Sequence, residues 1–151
     1  MNIADILSPE RVQVDVVVDS KQAVLETLAG LLASASPDID AAAMLDSLLA
    51  RERLGTTGLG GGIAIPHGRA PHATRAIGAF LRARRPVAYA ASDRAPVDLF
   101  FALCVPATAA TEHLALLAAL AQRFDAAPLV SALRAAHTSA DAYALLIAPP
   151  P

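Results

Sequence analysis

The stretch VDLFFALCV, residues 97–105, halted by Pro106, constrains this chain more than any other. It falls well short of the roughly 18 apolar residues that a membrane span requires. Apart from Asp98 it has no polar side chain on either parity, so a strand built from it has two apolar faces. Such a strand is stable only when both faces are covered. The rest of the 151 residues must supply the covers, and composition says from what. The chain is 55% hydrophobic but only 4% aromatic, with no tryptophan. Its core must be aliphatic, and its many alanines favour closely packed helices.

The flanking segments alternate in period. VQVDVVV, residues 12–18, is β-branched and partly alternating, which reads as a strand. Ser20 offers a helix cap, and Val24, Leu25, Leu28, Leu31 and Leu32 form one helical stripe. After the break at Ser36-Pro37-Asp38, a second helix is expected with Ala42, Leu45, Leu48 and Leu49 facing inward, ending near Arg51-Glu52-Arg53. Gly62 to Ile65 reads as a short strand, with weaker strands at Ala76–Arg82 and Pro86–Ala90. Beyond Pro106, Thr108 or Thr111 can cap a helix through Phe124 whose stripe is Leu114, Leu117, Ala121 and Phe124. Residues 128–147 give two more helical segments. The expectation is a single α/β domain over residues 1–147, a mixed sheet flanked by helices on both faces, with a proline-rich tail at 148–151.

Charge narrows the function classes. A net charge of −2 and a pI near 6.0 give no footprint for nucleic acid. The opening MNIADILSPERVQ has acidic residues where a signal peptide has basic ones. The single Cys104 excludes an internal disulfide and suits a reducing compartment. These features predict a soluble cytoplasmic domain without membrane insertion. From Gly68 to Arg85, Arg69, Arg75, Arg82, Arg84 and Arg85 occur with no acidic residue, which reads either as a solvated face or as a patch for an anion or acidic partner.

The chemistry concentrates in GTTGLGGGIAIPHGR, residues 55–69. A phosphate-binding P-loop ends in Gly-Lys-Ser/Thr, yet the only lysine of the chain is Lys21. A dinucleotide loop needs G-x-G-x-x-G between strand and helix; here the third glycine is missing and the order is helix, loop, strand. The segment instead leads to His67. Pro66 fixes its own φ and keeps Ile65 extended, which carries His67 to a strand end, and Gly68 puts no side chain over the imidazole. His72, His113, His137 and Cys104 make no metal-ligand spacing, and no serine turn accompanies the histidine as in a hydrolase. Neither a metal nor another cofactor is expected. A neutral imidazole can itself accept a phosphoryl group and pass it on, given cationic or hydrogen-bonding support for the oxygens, which arginine supplies well.

The segment RERLGTTGLGGGIAIPHGR, Arg51 to Arg69, resembles the active-site signature of phosphotransferase-system IIA proteins of the mannitol/fructose type, most of all their nitrogen-regulatory branch. ADILSPERVQVDVVVDSKQAVLETLAGLLA and VDLFFALCVPATAATEHLALLAALAQRF resemble the same family in the same order, so that only the tail lies outside the likeness. One position departs: nitrogen-type members often carry Asn where this chain has Gly61.

The resemblance implies a phosphocarrier in a phosphoenolpyruvate-dependent system. His67 matches the histidine phosphorylated, as tele-phosphohistidine, by a histidine-containing phosphocarrier protein. His113, in TEHL, matches a second histidine that supports the phosphoryl group, and Arg51 matches an arginine near the site. A place in the first turn of a helix agrees for His113, since the dipole there favours a neutral ring. Thr56 and Thr57 either bond phosphoryl oxygens or finish the turn; Arg69 either docks the donor or solvates the loop; Gly68 is part of the signature. Downstream, the resemblance implies a regulated protein that reads the phosphorylation state, or a IIB domain in the sugar-specific branch. The competing class is an interaction domain that keeps the fold and transfers nothing.

Overall fold

The computed structural model describes residues 2–108 and 110–150, residues 110–112 by their backbone alone. Two elements precede the first expected strand: a single-turn helix α1 (Ile3–Ile6) and a 3-10 turn at Pro9–Arg11. Strand β1 (Val12–Val16) follows, two residues shorter than expected because Asp15 enters the left-handed region (φ 57°) and the pairing becomes irregular. Helix α2 (Lys21–Ala33) is capped by Ser20, whose Oγ accepts from the Ala23 N–H at 3.0 Å. Helix α3 (Ala41–Leu54) is capped in the same way by Asp40. Its buried residues are Met44 and Leu48, whereas Ala42 points to solvent.

The glycine segment is richer than one strand. It forms β2 (Gly58–Gly60), β3 (Ile63–Ala64) and β4 (His67–Ala70). The weak candidates after it merge into one bent strand, β5 (Ile77–Val87), with Pro86 in the stretch where pairing shifts between Arg82 and Val87. That is where a residue without an N–H is tolerated. Strand β6 (Val97–Pro106) follows, then α4 (Ala110–Phe124), α5 (Ala127–Ala135) and α6 (Ser139–Ile147). The capping position of α4, residue 109, and the Thr111 side chain lie outside the described residues.

The sheet order is β1-β5-β6-β3-β2, and β4 also pairs with β6. Parallel pairs (β1–β5, β3–β6, β4–β6) mix with antiparallel ones (β5–β6, β2–β3), as expected for a mixed sheet. β6 is buried on both faces. Leu99, Phe101, Leu103 and Val105 join a core with α1, α4, α5 and α6, while Phe100, Ala102 and Cys104 join a second core with α2 and α3. Full burial of each large side chain contributes about 1.5–3 kcal/mol.

The buried stripe of α4 is displaced from the expected one. His113, Leu116, Leu120 and Phe124 point inward and Leu114 is 70% exposed. The helix is apolar almost all round, so its sequence supports more than one inward face.

The basic run does not form one patch. Arg82 Nη1 donates to the carbonyls of Leu133 and Ala136 at 2.7 and 2.6 Å, neutralising the C-terminal end of α5. Arg84 lies 3.9 Å from Asp15, and Arg75, Arg84 and Arg85 are solvated.

Gly60, Gly61 and Gly62 all have positive φ (93°, 66° and 81°), and they make the turn between β2 and β3. The Gly61 N–H donates to Asp93, its carbonyl accepts from Arg134, and Arg134 pairs with Asp98 at 2.9 Å. The run therefore serves a left-handed turn. Asparagine is among the side chains that tolerate this region best, and a Cβ on Gly61 meets nothing within 4 Å, so Asn there would clash with nothing, while Gly meets the positive φ without strain. A Cβ on Gly62 would meet Arg134 and lie 3.0 Å from Asp98. Gly61→Asn should cost less than about 1 kcal/mol of urea stability, whereas Gly62→Ala should cost roughly 1–3 kcal/mol. Equal effects of the two would refute this account.

Candidate functional site

β3 and β4 run along the same edge of β6, pairing with its residues 99–100 and 103–106. They are two pieces of one strand interrupted at Ile65-Pro66. Pro66 has no N–H for the ladder, and its carbonyl accepts from Leu103 at 2.9 Å. The Ile65 N–H turns instead to the Thr57 carbonyl, 3.1 Å away. The Ile65 carbonyl receives His67 Nδ1 at 2.9 Å. His67 therefore opens β4 rather than ending a strand.

Gly68 has a different use from the one expected. It is buried, and a Cβ there would lie 2.7 Å from Ser47 Oγ and 2.9 Å from Met44 Cε. Its lack of a side chain lets β4 press onto α3, rather than clearing space over the imidazole. The adjoining Arg69 N–H donates to Ser47 Oγ at 2.8 Å. One helical turn beyond Ser47 stands Arg51, so this close packing brings the arginine to the mouth of the site.

A cleft of about 500 Å³ results, with His67, Gly68 and Arg69 on β4, Arg51 on α3 and His113 on α4 in its lining. Leu103 and Val105 of β6 form its apolar wall. Leu54 and Leu114 are 84% and 70% exposed beside it. Arg51 Nη1 donates to the Gly55 carbonyl at 2.8 Å, which anchors the guanidinium at the α3 terminus. His113 is buried at the end of the first α4 turn. Thr56 and Thr57 do not line the cleft. Thr56 Oγ1 accepts from the Gly58 N–H at 3.1 Å, and the Thr57 hydroxyl is buried against Glu52 and Tyr89.

A carbonyl oxygen only accepts, so the hydrogen of neutral His67 sits on Nδ1 and the lone pair on Nε2. Burial holds the imidazole below its ordinary 6.5, and the charge of Arg51 acts the same way; the Ile65 carbonyl and Glu52 oppose them. The ring is thus neutral near pH 7, as a nucleophile must be.

Sequence reasoning passed over Glu52, Lys21 and Tyr89, which form a buried polar cluster with Thr57. One signal was legible: a carboxylate between two arginines at a helix C-terminus opposes the dipole and needs a local partner.

The chain as a whole has relatives among known proteins. A family model described as "Phosphoenolpyruvate-dependent sugar phosphotransferase system, EIIA 2" matches residues 5–148. This chain belongs to that family. It is 43% identical over 147 residues to a nitrogen regulatory protein of Pseudomonas aeruginosa, covering 97% of this chain and 96% of that one. The crystal structure of nitrogen regulatory protein IIA-Ntr from Neisseria meningitidis superimposes with a TM-score of 0.88 at 39% identity, covering 95% of this chain and 98% of that one. IIA mannitol from Escherichia coli, 18% identical, shares the fold with a TM-score of 0.76 over 92% of this chain and 97% of its own. The chain is therefore a IIA-type component of a phosphotransferase system, similar along nearly its whole length to nitrogen regulatory members.

His67 gives the fold a pH signature. Its unfolded value exceeds its folded one, so the unfolded chain binds more protons between them and stability rises with pH through that window. Stability from urea unfolding should fall as the pH drops below about 6.5, and His67→Ala should flatten part of that fall. Superimposable pH profiles for the two proteins would contradict the lowered value.

Proposed function

We propose that this protein is a phosphocarrier whose His67 accepts a phosphoryl group on Nε2 from a histidine-containing phosphocarrier protein. The hydrogen bond from His67 Nδ1–H to the Ile65 carbonyl carries this reading, because it keeps the hydrogen on Nδ1 and leaves Nε2 as the nucleophile. In the transfer, a P–N bond forms at His67 Nε2 as the donor's P–N bond breaks and the donor imidazole leaves with the electron pair. No proton has to move, and the His67 ring takes up positive charge. Arg51 supports the phosphoryl oxygens electrostatically. His113, across the cleft, is the second support. Leu54, Leu114 and the exposed Arg69 form a rim suited to a protein donor, since exposed apolar side chains beside a reactive group mark a docking face. Thr56 and Thr57 shape the loop rather than touch the phosphoryl group.

The site would work in the cytoplasm, where such donors are charged from phosphoenolpyruvate. The relatives named nitrogen regulatory proteins support a regulatory output, in which partners read the phosphorylation state, over delivery to a IIB domain. On this reading the phosphotransfer domain is residues 1–147, followed by the proline-rich tail at 148–151.

Purified chain incubated with phosphoenolpyruvate, Enzyme I and the phosphocarrier protein should gain one phosphoryl mass, labile in acid and stable in alkali. His67→Ala should gain none, and Arg51→Ala should accept it at least roughly tenfold more slowly. No mass gain with a demonstrably charged donor would overturn phosphotransfer and leave a binding domain. The acceptance rate should rise with pH and level off with a midpoint below about 6.5, because only the neutral ring attacks.

A further inference from the structure

The lining of the cleft leaves one feature unexplained: a carboxylate buried next to Arg51. The Glu52 side chain is 5% exposed and sits at the C-terminal end of α3, where the dipole opposes it. It pairs with Lys21 Nζ at 2.7 Å and accepts from the Tyr89 hydroxyl at 3.0 Å. It also accepts from the Thr57 hydroxyl and from the Thr57 N–H, the latter at 3.3 Å. Lys21 completes the cluster by donating to the Tyr89 carbonyl at 3.3 Å and standing 4.3 Å over the Tyr89 ring. These residues come from the start of α2, the end of α3, the glycine segment and the loop after β5. The carboxylate ties four segments together.

Thr57 is where the cluster meets the reactive histidine. Glu52 holds the Thr57 side chain and N–H; the Thr57 carbonyl holds the Ile65 N–H at 3.1 Å; the Ile65 carbonyl holds His67 Nδ1 at 2.9 Å. We propose that Glu52 is the positioning residue of His67, holding, through Thr57 and Ile65, the carbonyl that keeps the ring hydrogen on Nδ1 and the lone pair on Nε2. The inference rests on the phosphotransfer reading for its purpose, though not for its geometry.

The same arrangement suits the charge change of the reaction. When Nε2 forms its bond to phosphorus, the ring becomes cationic with Nδ1–H still on the Ile65 carbonyl. The Ile65 carbonyl oxygen, already aimed at Nδ1–H, favours that state, and a preset dipole costs no reorganisation when the charge appears. The Lys21 ammonium, 2.7 Å away, offsets the cost of burying the Glu52 carboxylate. A role confined to stability would change unfolding only. A positioning role must also change the imidazole.

The test compares wild type with Glu52→Gln, which keeps shape and loses charge, reading the His67 tautomer from nitrogen-15 ring correlations at about pH 8, where the imidazole is neutral. Wild type should be almost wholly Nδ1–H. Glu52→Gln should show a clear Nε2–H fraction and accept phosphoryl at least about tenfold more slowly, with the half-saturating donor concentration unchanged. Tyr89→Phe, which leaves the Glu52–Thr57 link intact, should keep the wild-type tautomer. If Glu52→Gln does not fold, Thr57→Val, which cuts the hydroxyl link and keeps the main chain, reads the same quantity. An unaltered tautomer in the folded variant overturns the proposal and leaves Glu52 a buried ion pair. If wild type takes up no phosphoryl group, the functional reading fails, while the tautomer measurement still decides this inference.

Discussion

Everything in this molecule is organised by the burial of β6 on both faces. A strand whose alternate residues are all apolar has no solvent side, so helices must lie above and below it. The N-terminal pair α2 and α3 covers one face, and α1 with α4, α5 and α6 covers the other. Because α3 and α4 lie on opposite faces, their ends can converge only at an edge of the sheet. The edge formed by β4 against β6 is that place, and the cleft lies there, walled by Leu103 and Val105.

The edge is chemically useful because it is irregular. A continuous strand would spend the Ile65 carbonyl on a ladder or on solvent. The interruption at Ile65-Pro66 releases it to the His67 side chain instead. Holding an irregular segment in place requires other bonds, and these come from a buried cluster with each partner engaged. Such clusters rigidify when satisfied and are costly when broken. Burial has a parallel effect on Cys104, whose thiol is pushed up to about 11 and behaves as a small core residue rather than a nucleophile.

Several details went differently from the sequence expectation, each for a physical reason. On α4, alanines and leucines occur at every phase of the helix, so periodicity could not choose between an inward Leu114 and an inward His113; packing against the sheet chose the histidine. Of the five arginines, Arg75, Arg84 and Arg85 are solvated, as one of the two sequence readings had it, while Arg69 lines the cleft and Arg82 turns to the carbonyl end of α5. Gly60, Gly61 and Gly62 satisfy positive φ in a turn outside the cleft lining. Gly68 allows a close approach to α3 instead of opening the ring.

The sequence by itself determined what is local or compositional: the doubly covered strand, the Ser20 cap, the break at Ser36-Pro37-Asp38, the helix–loop–strand order around the glycines, and the candidacy of His67 beside Pro66. Its likeness to a known family pointed to Arg51 and His113, residues that no spacing rule joins to His67. Tertiary structure alone decided which residues share the cleft, which nitrogen of His67 keeps its lone pair, and why Glu52 is buried. Those properties depend on contacts such as Lys21 with Glu52 and Tyr89 with Thr57, which link segments far apart in the chain. Periodicity reports which way a side chain points along its own element; it carries no information about what stands opposite.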